Sequence, residues 1–151
     1  MKKIQIIIIS IALTTFIGCA SRQIRPSSPL IEHCEHCKPT SEAEIAALFD
    51  RWNQALQIGD TRKVVALYAE RSILLPTLSN KPRLTPAEKE EYFCHFLEKR
   101  PLAKIDLREI EIGCNMAVDS GLYTRYSFTY RWDGSQWLIV SHHSSLMPET
   151  K

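Results

Sequence analysis

The sequence lacks the charge excess, the long apolar run and the glycine-rich loop that would each identify a class of protein. Its 151 residues include 19 lysines and arginines against 17 aspartates and glutamates, so the formal net charge is only +2. A chain this close to neutral is not a strongly basic nucleic-acid binder, and no nucleic acid is expected as a partner. The apolar run at residues 4–17 is shorter than the roughly 20 residues that cross a membrane. Without a kinase glycine-rich loop or catalytic-loop motif, nothing supports kinase activity.

The composition is that of one folded domain. Apolar residues make up 44% of the chain, which is enough for a hydrophobic core and argues against intrinsic disorder. A length of 151 residues fits one domain rather than two.

The N-terminus carries the pattern of an export signal. Lys2 and Lys3 precede the short apolar run, and no acidic residue occurs before Cys19. The pattern predicts a lipoprotein signal peptide over residues 1–18. Residues 16–19, Phe-Ile-Gly-Cys, resemble a bacterial lipobox, which implies cleavage before Cys19 and lipidation of that cysteine. The alternative is ordinary signal cleavage with Cys19 uninvolved.

A lipid on Cys19 would anchor the protein to a membrane of the bacterial cell envelope. Ala20 stands where an aspartate would suggest retention at the inner membrane, so the outer membrane facing the periplasm is expected. That compartment is oxidising and permits disulfides. Residues 19–40 contain several prolines and serines without a helical or strand period, which predicts a flexible tether. The folded domain is expected over residues 41–148.

Three helices are predicted before most of the strands. Capping-box patterns at 41–44 and 85–88 start the first and third helices, and Asp60 can cap a short second helix. Gly59 ends the first helix and Pro101 the third. The apolar face of the first helix contains Ile45, Leu48, Phe49, Trp52 and Leu56. The third is expected to bury Tyr92, Phe93, Phe96 and Leu97.

The remaining segments alternate with a period of two and predict strands. A short strand is expected at 71–75, and the last strand at 137–142. Turns are expected at 113–115 and 133–134, and a change in parity predicts a bulge near Arg108. Helices followed by a run of antiparallel strands predict an α+β fold, with the helices on one side of a curved sheet.

Several ordered segments of the chain carry a family resemblance. They are residues 45–53, 59–60, 65–69, 74–77, 80–83, 112–115 and 137–145. These segments resemble the nuclear-transport-factor-two-like (SnoaL-like) superfamily. Within it they resemble the SgcJ/EcaC group, which is related to the association (hub) domain of calcium/calmodulin-dependent protein kinase II. The resemblance implies a cone-shaped fold that pairs through its sheet, and hence a homodimer or a larger homo-oligomer.

One hairpin of the superfamily's fold is shortened in this sequence. The segments 121–124 and 125–128 abut, where relatives carry a longer hairpin between them. Residues 116–132 would then form a strand of unusual length. Two alternatives follow: the chain bends at 119–121, or a strand pair is missing.

Four residues are candidates for chemistry in a pocket of the domain. The resemblance places the position of His143 near the pocket, where it could act as an acid, a base or an anion partner. Asp119 is the candidate general base of an isomerase-like site, with Arg125 and Tyr123 on the same wall. The alternatives are a strand-end histidine, a turn aspartate and a solvated edge arginine.

Aromatic side chains could complete the lining of such a pocket. Trp52 and Tyr68 are the candidates from the helical segments. A stripe of aromatic side chains is more often plain core.

The cluster His33, Cys34, His36 and Cys37 has the residue types of a zinc or copper site. It lacks a second cysteine pair and falls in the tether, so a disulfide is the better default in an exported protein. The metal reading remains as a weak alternative, and no cofactor is expected.

The resemblance supplies a pairing for one of these cysteines. Relatives often join a cysteine ahead of the first helix to the cysteine of the Ile-Gly-Cys-Asn turn, which implies Cys37–Cys114 here. Cys94 is expected to be buried and free, and Cys34 is left unassigned.

The leading hypothesis is a lipid-anchored envelope protein with a non-catalytic domain that self-associates or binds a small ligand, for which an anion is one candidate. One alternative is a small isomerase or cyclase with a His/Asp/Arg pocket. Another is metal handling through residues 33–37.

Overall fold

The computed structural model describes residues 36–147, so the signal segment, Cys19, His33 and Cys34 lie outside the described residues. The elements are α1 (Glu42–Ile58), α2 (Thr61–Val65), β1 (Tyr68–Leu75), α3 (Pro86–Leu97), β2 (Leu107–Gly113), β3 (Met116–Leu122), β4 (Arg125–Trp132) and β5 (Trp137–Ser145). Over the range 36–147, no helix is long and apolar enough to cross a membrane.

The three helices begin directly after the capping residues that the sequence predicts. The Ser41 side chain accepts a hydrogen bond from the backbone N–H of Glu44, and Asp60 caps α2. At α3 the capping box is complete, because Glu88 also accepts from the backbone N–H of Thr85. Gly59 ends α1 with a φ of 77°, a left-handed conformation that favours glycine.

A buried lysine fixes α3 against the sheet. Lys89 is only 1% exposed, and its Nζ donates to the backbone carbonyls of Ser72 in β1 and Leu84, at 3.0 and 2.9 Å. Burial lowers the pKa of this amine. The two carbonyls supply the hydrogen bonds that a buried ammonium requires.

The five strands form one sheet in the order β1-β5-β4-β3-β2. All neighbours are antiparallel except β1 and β5, which are parallel. The first strand begins at Tyr68, earlier than the sequence indicated. The predicted bulge near Arg108 is wrong, since β2 and β3 pair in continuous register. The parity change arose because Ile105 precedes the strand, whose inner face is formed by Arg108, Ile110 and Ile112.

The connection between β3 and β4 is a turn of two residues, Tyr123 and Thr124. Leu122 pairs with Arg125 directly across it. The chain therefore turns at 123–124 and not at 119–121, and β3 and β4 are both present as the two strands of a hairpin. The sequence does not predict this turn, because neither residue is a glycine, proline, asparagine or aspartate.

The core lies between the helices and the inner face of the sheet. Phe49 and Trp52 of α1 pack against Phe128, with ring centroids 5.7 and 5.1 Å away. On α3, Phe93 and Leu97 are buried as predicted, whereas Tyr92 and Phe96 are only half-buried.

Cys94 is exposed and free, so the prediction that it is buried is wrong. The residue follows the buried Phe93 by one position. One residue along a helix is a rotation of about 100°, which carries the thiol off the buried face of α3.

A disulfide joins Cys37 to Cys114, as the resemblance implied. It attaches the segment before α1 to the turn between β2 and β3. The backbone N–H of Lys38 adds a 2.8 Å hydrogen bond to the Asn115 side chain in the same turn.

Candidate functional site

A cavity of about 290 Å³ lies between the helices and the inner face of the sheet, at the end where β3 turns into β4. Its lining is Trp52, Leu56, Leu74, Thr77, Leu78, Tyr92, Phe93, Phe96, Pro101, Leu102, Ala103, Tyr123, Thr124, His142, Ser144 and Leu146. None of these described lining residues is an aspartate, glutamate, lysine or arginine. An apolar cavity with a few polar groups is the usual form of a small-molecule site.

The half-buried state of Tyr92 and Phe96 follows from this cavity. Both side chains line it instead of closing against the sheet. Their rings stack at 5.4 Å with an interplanar angle of 21°. Burial raises the pKa of Tyr92 to about 12, so its phenol stays neutral.

One wall of the cavity contains a buried chain of three polar side chains. The Trp52 Nε1–H donates to the Tyr68 hydroxyl at 3.2 Å, and that hydroxyl lies 2.7 Å from Nδ1 of His142. His142 is 3% exposed and stacks on Phe128 with ring centroids 4.0 Å apart. Within the described residues, its Nε2 is buried and has no hydrogen-bond partner.

Burial determines the charge of this wall. Desolvation lowers the pKa of His142 to about 3, with a smaller contribution from the neighbouring His143, so the imidazole is neutral at physiological pH. Desolvation also raises the pKa of Tyr68 well above its usual value. The wall is therefore polar but uncharged.

A hydroxyl pair supplies a second polar group in the cavity. The Thr77 and Ser144 hydroxyls are 2.6 Å apart. Tyr123 lines the same cavity, and burial raises the pKa of its phenol. These groups add neutral donors and acceptors.

Asp119 lies outside the cavity and is fully buried. Its Oδ1 accepts a 2.8 Å hydrogen bond from the Tyr126 hydroxyl and lies 3.3 Å from Nε of Arg108. Desolvation raises the pKa of this carboxyl, and the bond from Tyr126 and the charge of Arg108 oppose the rise. Arg108 also covers the ring of Phe49, 5.3 Å from its centroid. This arrangement links β2, β3 and β4 beneath α1, and the sequence did not indicate Arg108 as the partner.

The structure brings Trp52 and Tyr123 into the cavity and places Tyr68 directly behind its wall. His143 and Arg125 are exposed on the other face of the sheet. Their cross-strand partners, Ser127 and Ser145, share that outer face. The histidine of the cavity is His142, because it pairs with the inward-facing Phe128.

The structure does not bring the four candidate metal ligands together among the residues that it describes. Cys37 is in the disulfide, and His36 is exposed in the segment before α1. His33 and Cys34 lie outside the described residues. Between residues 36 and 147, no group of three or more histidine, cysteine, aspartate or glutamate side chains could hold a metal ion.

Comparison with known proteins identifies a matching family model and several similar structures. A model of the calcium/calmodulin dependent protein kinase II association domain matches residues 41–125. A solved structure described as such a domain, from Xanthomonas campestris, is 38% identical with a TM-score of 0.67, covering 77% of this chain and 98% of its own. A protein of the DUF3225 family from Pectobacterium atrosepticum is 24% identical with a TM-score of 0.55, covering 70% of this chain and 89% of its own.

The DUF3225 protein and one further structural relative show the fold alone. The further relative is an NTF2-like protein from Pseudomonas putida, 17% identical with a TM-score of 0.59, which covers 72% of this chain and 88% of its own. No curated protein matches the sequence significantly.

Proposed function

This chain belongs to the calcium/calmodulin dependent protein kinase II association domain family, and we propose that it is a lipid-anchored protein of the bacterial cell envelope whose domain binds a small molecule without transforming it. The single observation that carries the proposal is the apolar cavity of about 290 Å³ with its buried polar wall. Apolar surface that is left uncovered forgoes the stabilisation of burial, and a ligand that covers it would supply that stabilisation.

The same groups are poorly suited to general acid–base catalysis. General acid–base catalysis needs a titratable group within hydrogen-bond reach of the substrate. Asp119 does not line the cavity and is paired with Tyr126 and Arg108. The lowered pKa of His142 makes its imidazole a weak base. The described lining contains no carboxylate that could act as a base, and its phenols, Tyr92 and Tyr123, have raised pKa values and keep their protons. The site thus favours binding over an isomerase or cyclase reaction.

A fluorescent probe tests the binding proposal. N-phenyl-1-naphthylamine is neutral, apolar and small enough for the cavity, and it should bind saturably at one site per chain with increased emission. Ala103→Trp puts a large side chain into the cavity lining and should weaken binding at least tenfold. The matched control is Ala47→Trp on the exposed face of α1, which should bind like the wild type. Absence of saturable binding, or equal binding by the two variants, would refute the proposal.

The anchor is supported by the signal and lipobox pattern ending at Cys19. Mass spectrometry of the full chain from bacterial membranes should find acyl chains on an N-terminal Cys19. Cys19→Ser should release the protein from the membrane fraction. A wild-type chain that stays soluble and unmodified would refute the anchor.

Self-association is a second candidate, favoured by the outer face of the sheet. Over the described residues the helices pack against the inner face alone, and the outer face exposes Leu75, Leu107 and Met116. Leu107 is 53% exposed. Sedimentation of residues 36–151 should show a dimer or larger oligomer, and Leu107→Glu should dissociate it. A wild-type monomer at high concentration would reject this candidate.

A further inference from the structure

We infer that the ligand of the cavity is a neutral, largely apolar molecule with one hydrogen-bond acceptor, such as a carbonyl oxygen, that receives the Nε2 proton of His142. The inference rests on the proposed function, because it assigns the chemical class of ligand for the same cavity. It starts from the hydrogen-bond chain of Trp52, Tyr68 and His142.

The direction of this chain is determined by its first member. An indole N–H can only donate, so the Tyr68 oxygen accepts from Trp52. The phenol then has one proton left to give. Its short contact, at 2.7 Å, is to Nδ1 of His142. If Tyr68 donates there, Nδ1 is the acceptor nitrogen and Nε2 carries the proton.

Placing the proton on Nδ1 instead would leave one more buried polar group without a hydrogen bond. If Nδ1 carried the proton and donated to Tyr68, the Tyr68 proton would lack an acceptor and Nε2 would also be unpaired. The first assignment leaves only the Nε2–H unpaired. Leaving a buried donor or acceptor unsatisfied is costly, so the smaller number decides the tautomer.

The unpaired Nε2–H has almost no accessible surface in the structure, so a ligand reaches it only through a small movement of the side chains around it. His142 is 3% exposed and lines the cavity, while Tyr68, which occupies the other ring nitrogen, is not among the lining residues. A buried donor without a partner is rare in folded proteins and calls for an acceptor. A ligand oxygen that enters from the cavity and displaces the covering groups slightly would satisfy it.

The charge of the lining excludes an ionised acceptor. The described lining contains no lysine or arginine, and the imidazole is neutral. A carboxylate in this space would be a buried charge without a counter-ion, which is strongly unfavourable. Most of the lining is aliphatic or aromatic, so the body of the ligand is apolar. A volume of about 290 Å³ accommodates a molecule with two fused rings.

Three probes of similar shape test the inference by calorimetry or fluorescence. The first is the ketone 2-acetylnaphthalene. The second, 2-isopropylnaphthalene, is its hydrocarbon counterpart, and the third, 2-naphthoate, is its anionic counterpart. The ketone-to-hydrocarbon affinity ratio should fall roughly five- to tenfold from the wild type to His142→Phe, the value of one neutral hydrogen bond. Use of the ratio removes differences in probe hydrophobicity. The control, His143→Phe on the outer face, should keep the wild-type ratio.

A measurement on the wild type keeps the inference testable if His142→Phe does not fold. The ¹⁵N chemical shifts of the His142 ring should show a protonated Nε2 and an unprotonated Nδ1. Addition of the ketone should shift the Nε2 resonance, and addition of the hydrocarbon should shift it less. A protonated Nδ1, or equal shifts with the two probes, would overturn the inference.

The outcomes separate the two proposals. If no probe binds the wild type saturably, the proposed function fails. If the probes bind but the ratio is the same in His142→Phe, binding stands and the assigned acceptor is wrong. If 2-naphthoate binds more tightly than the ketone, the ligand is an anion and the neutral class is wrong.

Discussion

The buried imidazole of His142 should make the stability of the domain fall with pH from about 6.5 downwards, beginning before carboxylates titrate. The folded protein holds its pKa at about 3, against a model value of 6.5. Between these two values the unfolded chain takes up a proton that the folded chain does not. The contribution of His142 to the free energy of unfolding is therefore fully present above pH 6.5 and is lost as the pH falls towards 3.

The magnitude follows from the two pKa values. At pH 7.5 the histidine is mostly neutral in both states, so it contributes almost nothing to the difference. At pH 5.0 the unfolded histidine is largely protonated, which favours unfolding by about 2 kcal/mol. We therefore expect a loss of about 2 kcal/mol from this residue between pH 7.5 and pH 5.0.

Urea denaturation followed by circular dichroism measures this loss at the two pH values. The comparison is between the wild type and His142→Phe, and only the difference of their pH dependences is used. Other groups cancel in that difference, including Asp119, whose raised pKa stabilises the folded state as the pH falls. His143→Gln, at the exposed neighbouring position, should change this dependence only slightly, because His143 makes the smaller contribution to the pKa of His142.

Equal pH dependence in the wild type and His142→Phe would refute the reasoning. It would mean that the imidazole is protonated in the folded protein near pH 6, as in water. The neutral cavity wall, and with it the argument against an ionised ligand, would then be wrong.

Two further predictions concern the sheet. Replacement of both Cys37 and Cys114 by serine should lower the free energy of unfolding by about 2–4 kcal/mol, because the disulfide closes a separation of 77 residues. Thermal unfolding measures this, with Cys94→Ser as the control at a free, exposed thiol; unchanged stability without the disulfide would contradict it. Gly121→Ala should destabilise the domain by at least about 1–3 kcal/mol, since its Cβ would overlap a backbone carbonyl at the start of β2. Gly113→Ala, where the nearest atom is 3.7 Å from the added Cβ, should cost less, and equal costs would count against this explanation.

The helices could be predicted from sequence because their signals are local. The capping side chains and the apolar faces lie within a few residues of the backbone groups that they satisfy. Ser41 and Thr85 therefore mark the beginnings of α1 and α3 correctly. The order of helices and strands likewise follows from the change in period after Pro101.

The site could be predicted only in part because it depends on pairing between distant strands. The register between β4 and β5 shifts between Thr129 and Tyr130, and this shift helps determine which histidine faces inward. A slip of one residue exchanges the two faces of a strand, which is the difference between His142 and His143. The Arg108–Asp119 pair has the same origin, since it joins two strands across their register.

The disulfide has a mechanical consequence for a chain held by its N-terminal side. Tension applied before Cys37 passes through the sulfur atoms into the turn at Cys114 and bypasses the first turn of α1, which begins at Glu42. That turn is at one end of β3, and the cavity is at the other end, beside Tyr123. A strand of this length spans roughly 20 Å. Force on the N-terminal segment is thus transmitted to the end of the sheet at the β2–β3 turn, away from the cavity. The helices that enclose the cavity bear little of that force.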